Sequence, residues 1–209
     1  MHRPRLVRFL KTRSTLLSLL TVAPLLVVIL GLAACFKHPL GDPEHSKVDP
    51  KIAGVWRGPT AGGATSLLIF RPYDSRTYLV HSFAYKESNG QIQPNSRDDS
   101  KAWLSEIGGK RFLTLQPLTF TPVTGPEETV YWLTGIRLDG DSLRLRMLDP
   151  KNKLLTGAHS RRDLESVVEE HVESDALYEG PPVVFRKMKD DQYLRKVMEA
   201  FQTWDKDES

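Results

Sequence analysis

Between Lys51 and about Pro150 the chain runs in short stretches where apolar and polar positions alternate, cut by Gly, Pro, Asn and Asp, with no sustained helical period. Each stretch reads as a strand. Val55-Trp56-Arg57 comes first, and Thr65 to Phe70 follows the flexible Gly58-Pro59-Thr60-Ala61-Gly62-Gly63. Arg71 to Ser75 breaks to a long run, Arg76 to Tyr85, whose Tyr, Val, Leu and Phe favour extended backbone. Both alternating sets of that run are largely apolar, so its inward face stays open. Lys86 to Ser100, with Asn89-Gly90 and Pro94, is a loop or a hairpin extension. Ala102 to Ile107 and Arg111 to Leu115 are joined by Gly108-Gly109; Val130 to Leu138 and Leu143 to Leu148 flank Asp139-Gly140-Asp141. In the last run Leu143, Leu145 and Met147 alternate with Ser142, Arg144 and Arg146, a half-buried antiparallel strand with one wet face. Its partner puts Trp132 and Ile136 on one face with Val130, Thr134 and Leu138.

Beyond these strands the period changes. Ser160 is a good N-cap, with Asp163 three residues on, and Leu164, Val167, Val168 and His171 follow at helical spacing. Gly180-Pro181-Pro182 stops any continuation, and Val183-Val184-Phe185-Arg186 reads as an eighth strand. A last helix, residues 189–209 in outline, begins near Asp190 or Asp191 and puts Tyr193, Leu194, Val197, Met198, Phe201 and Trp204 on one stripe. That stripe docks on the barrel's outside, or it lies on a membrane or a partner protein.

The N-terminus has a different pattern again. Arg3, Arg5, Arg8, Lys11 and Arg13 precede an uncharged run from Ser14 to Ala34, the layout of a secretory signal or of an uncleaved membrane helix. Those five cations account for the net charge of +3: the remainder has 24 basic against 26 acidic residues, which excludes a nucleic-acid polycation. A single cysteine excludes an internal disulfide framework and a Cys-based metal cage. It stands directly after the apolar run, and Leu32-Ala33-Ala34-Cys35 resembles a bacterial lipobox. The resemblance implies a signal peptide over 1–34 and a signal peptidase that recognises Leu32, Ala33 and Ala34. It also implies a lipidated Cys35 holding the exported domain to the cell envelope, with Phe36 after it favouring the outer membrane over the inner. Residues 35–50, with three prolines and no periodicity, then form the lipidated cysteine and a flexible tether.

Eight short strands in meander order are about the number that closes a small barrel. Gly54-Val55-Trp56 in the first of them resembles the G-x-W of the lipocalins and wider calycins. By that resemblance residues 51–188 form a mostly β, antiparallel up-and-down barrel with a helix before the last strand. Gly54 and Trp56 would form its floor, and an arginine near the end of the last strand would cross the tryptophan ring. Arg186 is the residue in that position.

Chemistry is sparse by comparison. No G-x-S-x-G, Walker A, H-E-x-x-H or G-x-G-x-x-G motif occurs in the domain, and no cofactor or metal is expected. His159 and His171 are too far apart to share an ion, and Asp98-Asp99 lacks the spacing of a calcium loop. His81, alternating with Leu79 and Phe83, lines a pocket or sits hydrogen-bonded in the core or at its rim. Arg137, Arg144 and Arg146 form a small basic stripe for an anionic headgroup or sugar, or simply a solubilising face. The leading expectation is a non-enzymatic, lipid-anchored envelope protein. Its barrel, lined by Trp132, Ile136, Leu143, Leu145 and Met147, takes a small apolar or amphiphilic ligand. The alternative is a scaffold with a filled barrel that meets another envelope protein through its loops or C-terminal helix; an enzyme ranks third.

Overall fold

The computed structural model describes residues 36–118 and 129–207; residues 1–35, 119–128 and the last two lie outside it. Eight antiparallel strands close into a barrel in chain order: β1 (Gly54–Pro59), β2 (Thr65–Pro72), β3 (Tyr78–Ser88), β4 (Gln91–Ile107), β5 (Lys110–Pro117), β6 (Trp132–Asp139), β7 (Ser142–Met147) and β8 (Val183–Lys187). β8 returns to β1 through Trp56↔Lys187 and Arg57↔Arg186. Closure leaves no free sheet edge. This architecture is consistent with the lipocalin-like fold. Lys86 to Ser100 resolves as the hairpin extension: β3 and β4 run on together to a two-residue turn at Asn89-Gly90, where Asn89 has φ 52. Asn and Gly are the residues that tolerate such a turn.

The connections define two ends. Ile52, the β2–β3 turn, Gly108-Gly109 and Gly140 lie at one end, the floor. The β1–β2 and β3–β4 turns and the long β7–β8 connection lie at the other, the mouth. Alternation gives each strand one inward set. In the floor half that set is packed solid: Trp56, Phe70, Tyr78, Val80, Leu113 and Phe185, among others, share one buried cluster. The inward face of β3 is therefore Tyr78, Val80 and Ser82, which sends His81, Phe83 and Tyr85 outward.

Three helices cover part of the outer face. The β7–β8 connection carries a short α1 (Lys153–Thr156) and then α2 (Arg161–His171), capped as the sequence suggests by the Ser160 hydroxyl accepting from the Asp163 amide at 3.1 Å. Leu164 and Val168 of α2 bury against Phe112, Leu133 and Leu148. The last helix, α3 (Asp191–Asp207), starts where the Asp190 carboxylate accepts from the amides of Gln192 and Tyr193, both at 3.0 Å. Its apolar stripe docks on the barrel, with Val197 and Phe201 buried against Leu67, Ile69, Phe83 and Tyr85. Tyr193 shares a hydrogen bond with the Tyr85 hydroxyl at 3.1 Å and donates to Glu87 at 2.7 Å; burial first, then those two bonds, push its phenol far above the usual range.

Residues 36–50 correct the expectation of a flexible tether. They form a strap that runs down the outside of β6, β5 and β4 from mouth to floor. Phe36 bridges to Tyr131 just ahead of β6. The Leu40 carbonyl accepts from the Trp103 indole at 3.0 Å and the Thr114 hydroxyl at 2.8 Å. The Ser46 hydroxyl then accepts from the Leu104 amide at 3.0 Å, and Val48 and Ile52 tuck under the floor. Phe36, Leu40 and Val48 have docking sites, and an extended, proline-rich segment gives no local sign of them.

Candidate functional site

The floor is built around Trp56, which has no exposed surface; its indole N–H donates to the Ile52 carbonyl at 2.8 Å. The cation over its ring is Lys187, whose Nζ lies 5.2 Å from the centroid and donates to the Lys51 carbonyl at 3.2 Å. Arg186 is one residue too early for that role. It faces Arg57 on the outside and donates to the Ser142 hydroxyl, so the cation assignment moves to Lys187. Strand alternation makes this unavoidable, because Trp56 and its partner must point the same way. Gly54 fits the same corner: its φ is +125, and a Cβ there would stand 3.2 Å from the Lys187 Cε.

Above the floor the inward set changes character. Leu68, Leu115, Trp132 and Leu145 are only partly buried, and at the rim Met147 is 39% and Val183 38% exposed. Leu118, at the end of β5, is 55% exposed. Met147 and Val183 are therefore exposed on the inner side of the mouth, while Leu118, opposite Asp99 in the ladder, is exposed on the outer side of the same end. On the β3–β4 side the same layer is polar, with Ser82 directly opposite Asp98. The result is a cup with an apolar wall and a polar wall over a solid floor.

Of the five residues expected to line the barrel, Trp132, Leu145 and Met147 belong to the cup. Ile136, the ladder partner of Leu145, and Leu143 are buried in one cluster with Phe185. Leu68, Leu115, Val183, Ser82 and Asp98 were missed. Strand alternation through Ser66, Leu68 and Phe70 could have found the first. Asp98 lay in a stretch whose polar sequence left its strand status open.

Burial, and after it the neighbouring Asp99 carboxylate, push the Asp98 carboxyl above its ordinary value of 3.8. Among the described residues it has no cationic or hydrogen-bonding partner. A raised carboxyl pKa means that the folded state holds the proton more tightly than the unfolded one, so stability falls as pH rises from 3.8 through the raised value. Asp98→Asn should therefore melt higher than wild type at neutral pH and lose that part of the pH dependence. Calorimetry between pH 3 and pH 8, a range of about five units chosen to bracket the shift, reads it directly. A variant that melts lower at neutral pH would place a hidden cation beside Asp98.

The other candidates lie outside the barrel. His81 Nδ1 sits 2.7 Å from Asp99 Oδ1, on the outer face, in a charge network in which Arg97 also reaches Asp205 of α3 at 2.7 Å. It does not line the cup, and among the described residues no hydroxyl or thiol hydrogen-bonds to its ring. Arg137, Arg144 and Arg146 do come together, on the outer face of β6 and β7. Cys35 with Leu32, Ala33 and Ala34 lies outside the described residues. No family model matches the chain, and neither a curated protein nor a solved structure does.

Proposed function

We propose that the chain is a lipid-anchored envelope protein whose half-open barrel takes up a small amphiphilic ligand through its mouth. The observation that carries this reading is the gradient inside the barrel: a floor packed to exclusion of solvent under a cup whose inward apolar side chains remain accessible. Apolar groups left facing an opening are stabilised by whatever removes them from water. The apolar wall suits an alkyl or ring body, and Asp98 with Ser82 suits a head that donates hydrogen bonds, such as an alcohol or amine. A carboxylate head would meet the Asp98 charge.

The strap adds to the reading. Phe36, adjacent in sequence to Cys35, is fixed at the mouth end of β6, so a lipid on Cys35 brings the rim of the cup to the bilayer. Leu118, Met147 and Val183 then have a natural neighbour. An amphiphile drawn from the membrane would enter without crossing water.

Titrating residues 36–209 with a fluorescent long-chain alcohol tests the reading. Saturable binding is expected, and Leu145→Arg, which puts a charge in the apolar wall, should weaken it about a hundredfold. Absence of binding to alcohol, amine and fatty acid alike would overturn it and favour the scaffold, whose support is the filled floor half.

A further inference from the structure

On the outer face of β6 and β7, facing the segment from Val172 to Pro182, lies a groove of about 610 Å³. Two exposed arginines in it, Arg137 and Arg144, stand directly opposite one another across the ladder. Like charges in directly opposed positions weaken a sheet. The neighbouring cations are all compensated. Arg146 donates to the Gly180 carbonyl at 2.6 Å and to Asp175 at 2.8 Å, with its guanidinium 4.3 Å from the centre of the Tyr178 ring. Lys110 pairs with Glu173 at 2.8 Å and Arg111 with Asp49 at 3.0 Å. A second opposed pair, Arg57 and Arg186, is relieved by Glu87, 3.2 Å from Arg57, and by the Ser142 hydroxyl. Among the described residues Arg137 and Arg144 have neither an ion pair nor a hydrogen bond, and Asp139, two positions along the same face, pairs with neither.

The sheet thus concentrates uncompensated charge at one place and walls it with fixed groups. Gly135 keeps the floor of the groove low beside the Tyr178 ring, and the pinned Arg146 forms its side. The geometry points to Arg137 and Arg144 as the binding site of a phosphate group, carried by a small phosphorylated molecule or by a lipid headgroup. Each guanidinium presents a planar fork that matches two phosphate oxygens; a doubly charged monoester between two forks neutralises both, and a singly charged diester headgroup halves their net charge. Binding removes the repulsion that the empty sheet carries. This site lies on the opposite side of the sheet from the cup.

The test is thermal unfolding of the full chain in non-ionic detergent micelles at low salt. Three additives are compared: inorganic phosphate, glycerol phosphate, and phosphatidylglycerol doped into the micelles. At least one should raise the melting temperature of the wild type. Arg137→Gln/Arg144→Gln should melt no lower than wild type without additive, gain nothing with it, and bind the probe about tenfold more weakly for each guanidinium lost. A control with the same charge change, Arg71→Gln/Arg162→Gln, should keep the shift. A response to inorganic phosphate or its monoester identifies a soluble ligand; a response to the lipid alone identifies a headgroup. Equal shifts in wild type and the Arg137/Arg144 variant, or no shift with any of the three, would overturn the assignment.

Discussion

Trp56→Ala should cost the domain about 3–5 kcal/mol, the range for truncating a large aromatic side chain in a closed core. For a domain of this size that lowers the melting temperature by about 10 °C. The loss has two parts. The ring is wholly buried against the floor cluster, so its removal leaves a cavity, and the Ile52 carbonyl loses the indole donor 2.8 Å away. Trp56→Phe separates them by keeping most of the packing without the hydrogen bond, and should fall between. The cation over the ring contributes less, about 0.5–1 kcal/mol at such a partly exposed position. Lys187→Ala should therefore cost roughly that amount, and Arg186→Ala less, since Arg186 lies outside. Urea unfolding followed by near-ultraviolet circular dichroism orders the four variants. Arg186→Ala costing more than Lys187→Ala would restore the arginine to the floor and contradict the strand register.

Much of this architecture is legible in the sequence, because a meander of half-buried strands writes its period locally. Gly108-Gly109 and Asp139-Gly140 mark hairpins, Ser160 marks a cap, and the Tyr193-to-Trp204 stripe marks an amphipathic helix, whose docking only the structure decides. What failed is what depends on register between distant strands. Arg186 and Lys187 are neighbours in the chain and equally cationic; only the ladder from β1 to β8 decides which of them faces Trp56. Ile136 and Trp132 share a face in any reading of β6. Their depth in the barrel, which separates packing from lining, is set by the floor residues of seven other strands. Asp98 illustrates the same limit from the polar side, since its partner Ser82 belongs to a run whose two faces look alike in composition. The opposed arginines follow the opposite course: their alternation is visible in sequence, and only pairing turns a wet face into a concentrated charge.

Replacing residues 36–47 by a Gly-Ser segment of equal length should destabilise the domain by about 5 kcal/mol or more, where exchange of a true tether would cost nothing. Leu40 has no exposed surface, and its carbonyl is the acceptor for both the Trp103 indole and the Thr114 hydroxyl. Without the strap those two donors and the Leu104 amide lose their partners, at about 1–3 kcal/mol for each group that stays buried. Phe36 and Leu40 leave apolar surface on β5 and β6 exposed in addition. Leu40→Ala alone should account for about 2–5 kcal/mol of the total. Ser46→Ala should account for less, since it removes only the acceptor of the Leu104 amide. Chemical denaturation of the three variants checks the ranking, and a Gly-Ser replacement as stable as wild type would return the segment to a tether. The consequence for function runs through length. A tether of fifteen residues would let the barrel tumble tens of ångströms from the bilayer, about 20 Å in root-mean-square terms. A docked strap leaves no free chain after residue 35, so the proposed anchor at Cys35 would hold the rim of the cup, and with it Leu118, Met147 and Val183, close to the bilayer. Destabilising variants aside, lengthening the chain between Cys35 and Phe36 with an inserted flexible segment should leave melting unchanged while slowing uptake of the fluorescent alcohol from vesicles. Unchanged uptake would separate the anchor from the cup and leave the ligand to arrive through water.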